Sequence, residues 1–492
     1  MFFMFGLLYM TNFISISAFL FLVAMYAIYR YWSMKPRNFP PGPTGLPVFG
    51  VLPYLGMRPE QTFNKWKKTY GPVMGVRMSK KDWVVLGDHS NIKLALLCEG
   101  GSFSGRPTFN NKGRKGIAFL DFGRKYNFQR SLGLLVFSGN GLGKNSLEQH
   151  VRNEAPHLIE AVRGQSNKPF DIENIVTNAV FNTLSLVVYG QRFEYSDQRF
   201  TKIFHQLSTR FHESLPFALT NETFAGILKT VFTRRNSKKR NMENLEDNLL
   251  HHFLEHKNTM SRQTLRGFVD AFLSVQDSGI DSSFNVDQLI HYISDLFICG
   301  TITTAGALRW ALLCLLHHPD KQDKMRREII EVLGDKDVTM LQKADLPYTS
   351  AFIHEVCRYR TIFPLGLPHK TSYDVLLDSY FIPQGTTVCI NLWGVHNDPC
   401  LFDEPGEFRP ERHLYEDGKF GRSDYVIPFS VGPRHCLGHQ VASMMLFSHL
   451  VNLMRNFEFL PDPTDPNLPD ITNGSSGILF LPRNFKLVAK AL

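Results

Sequence analysis

Residues Met1 to Tyr29 contain no charged side chain, and this run restricts the start of the chain to very few structures. From Phe13 to Tyr29 it is almost entirely Phe, Ile, Leu, Val, Ala and Tyr, with two serines. A helix of about 20 apolar residues spans a bilayer, so the stretch is predicted to be an uncleaved membrane anchor. A cleaved signal peptide, the competing reading, wants a charged leading region and a small-residue cleavage site. Here Arg30, Tyr31, Trp32, Lys35 and Arg37 follow the apolar run instead. The positive-inside rule then keeps the rest of the chain on the cytoplasmic side. Tyr29, Tyr31 and Trp32 suit the headgroup boundary. The run Pro40-Pro41-Gly42-Pro43-Thr44-Gly45-Leu46-Pro47 cannot be helix or ladder strand, because proline lacks the donor and fixes φ. It reads as a stiff spacer. The division is therefore an anchor over 1–35, a proline-rich hinge over 36–50 and a body over 51–492.

The net charge of +9 suits nucleic acid, an anionic membrane surface or an acidic protein partner. No nucleic-acid module follows in the sequence, which leaves membrane and acidic partner. The seven cysteines are scattered, odd in number and without a Cys-x-x-Cys pair. That pattern argues against a disulfide framework or a zinc site and suits a reducing cytosol.

No repeat or second linker interrupts the body, so one large domain is expected. Strand-like pieces fall at Val73 to Met78, Trp83 to Leu86, Thr386 to Ile390 and Gly477 to Leu481. The longest helical pattern runs from about Val286 to His318, where Pro319 stops it. Its apolar character is nearly all-round, which predicts burial through the domain centre. Further helices are predicted from about Thr349 to Thr361 and from just after Gly438 to about Phe457. The class is mainly α with small β-sheets. The basic run Arg234, Arg235, Lys238, Lys239, Arg240 reads as a solvated loop or as a membrane-surface contact.

The segment Phe429-Ser430-Val431-Gly432-Pro433-Arg434-His435-Cys436-Leu437-Gly438 carries the chemistry. Its glycines allow close backbone approach to something flat or bulky. Cys436 sits at the entry to a helix, whose terminal amides favour a thiolate. The pattern Phe-x-x-Gly-x-Arg-x-Cys-x-Gly resembles the haem-binding signature of the cytochrome P-450 superfamily at every fixed position. The resemblance covers essentially the whole chain and is closest to microsomal animal xenobiotic and fatty-acid hydroxylases, as in Leu308-Arg309-Trp310-Ala311-Leu312-Leu313 and Leu346-Pro347-Tyr348-Thr349. It implies haem b as cofactor, the P-450 fold, and Cys436 as the axial thiolate, which pushes electron density toward iron and favours O–O cleavage.

It implies further roles. Glu355 and Arg358, one helical turn apart on one face, become a buried ion pair behind the haem, with Arg412 of Phe408-Arg409-Pro410-Glu411-Arg412-His413 as third member of a structural network. The family usually has Phe where His413 stands, a change expected to affect packing more than chemistry. Phe429 opens the signature. Arg434, Arg130 and His369 are expected at the haem propionates. Tyr126 replaces the family's usual Trp there, with a phenol that can donate from a different place. Arg124, Lys125 and Arg130 make their helix basic, which suits docking of an acidic flavoprotein.

On the central helix, Cys299-Gly300-Thr301-Ile302-Thr303-Thr304 resembles the family's oxygen-binding groove. Gly300 costs about 1 kcal/mol against Ala in mid-helix, and the implied reason is room for oxygen. Thr303 matches the threonine that steadies oxygen and a proton-donating water. Ile302 stands where most members have Glu or Asp, and isoleucine cannot relay a proton. Water and Thr303 suffice, or Thr301 or His291 serves through water, or the protein rearranges peroxides instead. If the relay is simply impaired, Ile302→Glu should raise coupling of NADPH to product.

The reading is an NADPH-dependent monooxygenase of the endoplasmic reticulum, fed by the diflavin NADPH-cytochrome P-450 reductase, with cytochrome b5 as a second partner and no nucleic acid. It acts on a small apolar substrate and O2. The rivals are a haem-thiolate isomerase or lyase acting on lipid peroxides, and a non-catalytic haem-binding sensor. By analogy, substrate contacts come from the loop around Phe103 to Phe122, Phe204 to Phe224, the helix face near Leu296 and Cys299, Phe363 to Leu367, and Ser476 to Ile478.

Overall fold

The computed structural model describes residues 16–30, 34–47, 49–79, 81–107, 115–137, 147–197, 249–259, 265–465 and 467–492. Tyr31, Trp32, the basic run 234–240 and the expected substrate region 204–224 lie outside the described residues. The first described element, α1 (Ile16–Arg30), is apolar and exposed along its whole length.

The proline-rich segment is not a free spacer. Phe39 is buried with Val84 and Val388, and the Pro41 carbonyl accepts from Gly75 N at 2.8 Å. A Cβ on Gly42 would lie 2.1 Å from the Gly75 carbonyl oxygen. Prolines donate nothing, but their carbonyls still accept, so the segment docks on the sheet by its acceptors and by the absence of side chain at Gly42.

That sheet begins with β1 (Val73–Met78) and β2 (Lys81–Leu86), antiparallel with Val73 opposite Leu86. The last four residues of β2 are all buried, as expected of a strand covered on both faces. The helices follow: α2 (Arg124–Val136), α3 (Leu147–Arg163), α4 (Glu173–Tyr189), α5 (Val286–His317), α6 (Pro319–Leu333) and α7 (Pro347–Tyr359). Next come β3 (His369–Lys370) and β4 (Thr387–Ile390), then α8 (His439–Asn456). The sheet order is β1-β2-β4-β3, with β2 parallel to β4 and β3 antiparallel to it. Phe170–Asp171, Lys486–Ala491 and Phe457–Pro461 form a second, three-stranded sheet. Near the C-terminus Phe480–Leu481 pairs with Ser475–Ser476. The architecture is thus mainly α with small sheets.

α5 has the length and apolar content of a membrane span, yet 83% of its apolar window is buried inside the protein. Its start is capped by the Asn285 side chain, which accepts from Gln288 N at 2.9 Å, satisfying one of the free amides of a helix start. Phe297 stacks on Phe181 of α4 with ring centroids 4.5 Å apart. Trp310 stacks on Phe480 and donates to its carbonyl. Pro319 ends α5 as expected and also opens α6 at its first position, where its missing N–H costs nothing.

Candidate active site

The cysteine loop lies between β4 and α8 and is clamped by backbone geometry first. Cys436 N donates to Phe429 O at 3.0 Å, and His435 N to Gly432 O at 2.9 Å. Gly432 has φ +81°, and a Cβ there would come within 1.9 Å of the Leu96 carbonyl oxygen. Both facts demand glycine. The Phe429 ring is half-buried, 6.5 Å from the His435 ring and 6.3 Å from that of His439.

Cys436 is accessible, although protein packed around its other sides raises its thiol. The Gly438 amide and the Arg130 charge oppose that rise. A thiol of this kind becomes a stable thiolate when a metal ion replaces its proton.

Side chains from α2 and carbonyls from the loop after residue 100 hold the cysteine loop in place. Arg130 Nη2 donates to His435 O at 2.6 Å. Arg434 donates from Nε to Ser104 O at 2.8 Å and from Nη2 to Leu120 O at 2.6 Å. Its guanidinium lies 3.7 Å from the Tyr126 ring centroid, within cation–π range. The Tyr126 hydroxyl donates to Pro433 O at 3.0 Å. Tyr126 therefore spends its hydroxyl on the loop, where a direct contact to cofactor was expected.

Arg106 was not singled out from the sequence, where an arginine between Gly105 and Pro107 in an expected substrate loop was the only signal. It is buried, and its Nη1 donates to Leu367 O and Pro368 O, both at 2.9 Å. Burial, and then the Arg434 charge, lower its pKa to about 9, with Arg130 adding to the effect. Cys299 on α5 pulls the other way, so the cysteine loop and the central helix converge on this guanidinium. Arg106, Arg130 and Arg434 have no carboxylate ion pair among the described residues; their side-chain bonds go to carbonyls. Three cations that repel one another, with Asp121 close enough to favour the Arg434 charge but in no ion pair with any of the three, make a place for anions. His369 adds a fourth group: its Nδ1 meets Phe103 O at 2.8 Å. Since a carbonyl only accepts, Nδ1 carries the proton. Burial, then Arg106, hold the ring well below the usual histidine range. An accessible thiol with a cationic cluster beside it and a glycine-shaped backbone fits a haem with two propionates.

Behind the loop, Glu355 is fully buried. Its Oε1 accepts from Arg358 Nη2 at 2.7 Å, Arg409 N at 3.0 Å and Arg412 Nε at 3.1 Å. Its Oε2 accepts from Arg358 Nε at 2.8 Å and His413 Nε2 at 2.9 Å. Burial alone would raise this carboxyl, but the Arg358 and His413 hydrogen bonds outweigh it and hold it at about 2. His413 was expected to matter for packing; it is instead a direct partner of the carboxylate. Arg358 also donates to the carbonyls of His396, Pro405 and Glu407.

On α5, Cys299 is accessible and Thr303 half-buried, one turn apart. Thr303 Oγ1 donates to Cys299 O at 2.5 Å. Gly300 faces elsewhere: a Cβ there would lie 2.7 Å from Leu184 Cδ1 of α4. The glycine is explained by helix packing, not by an opening for oxygen. Ile302 is buried in a cluster with Leu479 and Leu481, flanked by Ile362, Phe363 and Ile478. Thr301 is fully buried and its hydroxyl has no partner among the described residues. His291 lies twelve residues from Thr303, about 18 Å along the helix axis, and its Nε2 is 4.0 Å from Asp287. Neither replaces the missing acid by direct contact. Asp295, between them, accepts from Ala118 N at 2.9 Å and secures the loop that Arg106 and Arg434 also hold.

A Cytochrome P450 family model matches residues 40–489. The chain is 34% identical over 458 residues to "Cytochrome P450 2F2" of Mus musculus, covering 91% of this chain and 93% of that relative. It is 32% identical over 465 residues to "Cytochrome P450 2A13" of Homo sapiens, covering 91% and 92%. With "Cytochrome P450 2D27" of Mesocricetus auratus it shares 33% over 477 residues, covering 94% of each. The chain therefore belongs to the cytochrome P450 family and is a haem-thiolate monooxygenase whose cofactor is haem b.

Proposed function

We propose that this chain hydroxylates a small apolar xenobiotic, fatty acid or steroid-like molecule, with Cys436 as the thiolate ligand. The accessible Cys436 beside three guanidiniums that form no carboxylate ion pair among the described residues carries this reading. Bound haem b supplies the activation of dioxygen. Arg434, Arg130 and Arg106 offer donors to the propionates, and Tyr126 steadies Arg434 from below. His369 has its Nδ1 proton committed to Phe103 O, so it can donate to a propionate only as an imidazolium. Two carboxylates beside it would favour that form. Glu355, Arg358 and Arg412 hold the segment behind the loop.

On the distal side, Thr303 keeps a hydroxyl where oxygen would bind and is the one hydroxyl of the groove that is not sealed. Leu296, Cys299, Phe363 and Ile478 exclude water from an apolar substrate. Neither the peroxide isomerase nor the non-catalytic sensor is favoured beside this family membership.

Electrons come from NADPH-cytochrome P-450 reductase, with cytochrome b5 as a second donor, docking on the face where Arg124 and Lys125 are exposed. Residues 1–35 anchor the protein in the endoplasmic reticulum membrane and residues 51–492 form the catalytic domain, with the proline-rich residues 36–50 between them docked on its first sheet. Arg30, Lys35 and Arg37 keep that domain cytoplasmic.

The test is the reduced, carbon-monoxide-treated protein. It should show the thiolate-type Soret band, and Cys436→Ala should abolish it; a band that survives the substitution refutes the assignment. A lipid and drug panel with purified reductase, read by mass spectrometry, should give substrate-dependent NADPH consumption with product.

A further inference from the structure

A buried histidine outside the expected site ties the Glu355 network to the cysteine loop. His396 is fully buried at the end of the short helix Leu392–His396. Its Nε2 lies 2.9 Å from Ile427 N. A backbone amide only donates, so Nε2 must be the bare, accepting nitrogen. Its Nδ1 lies 2.7 Å from Thr361 Oγ1. Nδ1 therefore carries the proton and donates to that hydroxyl. Thr361 Oγ1 in turn donates to Arg358 O at 3.0 Å. Arg358 Nη1 closes the ring by donating to His396 O at 2.8 Å. Every donor and acceptor in this ring has a partner of the right kind, and only the neutral Nδ1–H tautomer allows it.

Ile427 opens the turn into the cysteine loop: Ser430 N donates to Ile427 O at 3.0 Å, and Cys436 N to Phe429 O at 3.0 Å. We propose that His396 is a positioning residue whose neutral ring transmits the Glu355–Arg358 network to the backbone that presents Cys436. This rests on Cys436 being the thiolate ligand.

The surroundings keep the ring neutral. Burial comes first, then Arg358, His354 and His89, against Glu355, and together they push it down to about 3. A proton on Nε2 would point at the Ile427 N–H and break the tie. The folded pKa is below the ordinary value of about 6.5, so the stability contributed by the neutral ring is full above that pH and is lost as pH falls from 6.5 toward 3, where the folded ring itself takes up a proton and the tie breaks.

The experiment compares the haem-loaded wild type with His396→Leu, which removes both ring nitrogens, and His396→Gln, which keeps an acceptor near Nε2 but does not titrate. At neutral pH the Leu variant, which loses the bonds to both Ile427 N and Thr361 Oγ1, should lose its thiolate-type carbon-monoxide band about a hundredfold faster, roughly tenfold for each lost buried hydrogen bond. Amide exchange in a peptide containing Ile427 should rise with it. The Gln variant should keep the wild-type rate and lose part of the acid sensitivity between pH 6.5 and 4. Should the Leu variant fail to fold, the Gln variant decides alone. A Gln variant as unstable as Leu, or one with the full acid sensitivity of the wild type, overturns the proposal. So does a Leu variant with the wild-type band and exchange. Cys436→Ala, run alongside, separates failure of the ligand assignment from failure of the His396 tie: only the former leaves its band in place.

Discussion

The two sides of the haem region are built on opposite principles. On the cysteine side the charged groups are paired: Glu355 accepts five hydrogen bonds, and the loop is held from Arg130, Arg434 and Tyr126, although Ser430 Oγ in the loop has no partner among the described residues. On the distal side Ile302 sits in an apolar cluster, and Thr301 and Thr304 carry buried hydroxyls without partners among the described residues. Buried charge demands a fixed geometry, because an unpaired ion in a low-dielectric interior is costly. Apolar packing demands only volume and shape. The difference teaches that this chain concentrates its charged hydrogen bonding around the cysteine loop and packs the groove of α5 by shape; under the proposed reading, proton supply falls to Thr303 and water.

The largest effect should follow removal of the carboxylate. Glu355→Ala strands Arg358, Arg412 and His413 in the interior and should destabilise the protein by about 3–5 kcal/mol, with haem loss, read by thermal unfolding and the Soret band. A near-normal melting temperature would mean the proximal network is not what holds the loop.

Ile302→Glu probes the opposite side. A simple loss of the relay would make this change raise coupling. The observed packing against Leu479 and Leu481 reverses that expectation: a carboxylate there is buried without a partner and should cost roughly 3 kcal/mol with no gain in coupling. Improved coupling at unchanged stability would show that water reaches position 302.

Acid titration sharpens the contrast further. Glu355 is held at about 2, below its ordinary value of about 4.3. Its contribution is therefore full above pH 4.3 and is lost as pH falls toward 2, roughly 3 kcal/mol in all. Unfolding free energy measured from pH 6 to 2.5 should fall with this slope, and Glu355→Gln should flatten it. His413→Phe, the residue usual in the family, should cost about 1 kcal/mol through one lost hydrogen bond to the carboxylate. If stability is unchanged, His413 acts by packing alone. Smallest in stability is Thr303→Val, expected within about 0.5 kcal/mol of the wild type, while NADPH coupling to product falls. Unchanged coupling would remove Thr303 from the reaction.

Much of the scaffold was legible in one dimension. The strand Val73–Met78 and the helices expected at about 286–318, 349–361 and from just after Gly438 to about 457 are found within about two residues of those bounds, at 286–317, 347–359 and 439–456, because periodicity and stops such as Pro319 are local signals. The spacing of Glu355 and Arg358 likewise places both on one helical face. Roles that depend on a partner distant in sequence were not legible. Arg106 gains meaning only from Arg434, His369 and Cys299; Gly300 from Leu184; the proline segment from Gly75.

The residue order alone determined the apolar leader, the central helix, and a cysteine loop whose glycines and arginine specify a ligand site, since each rests on neighbours within a turn or two. The tertiary structure alone decided that His413 and His396 are bonded members of the proximal framework and that position 302 is sealed. Hydrogen bonds and burial are set by atoms brought together across tens to hundreds of residues, and no local pattern encodes which of them meet.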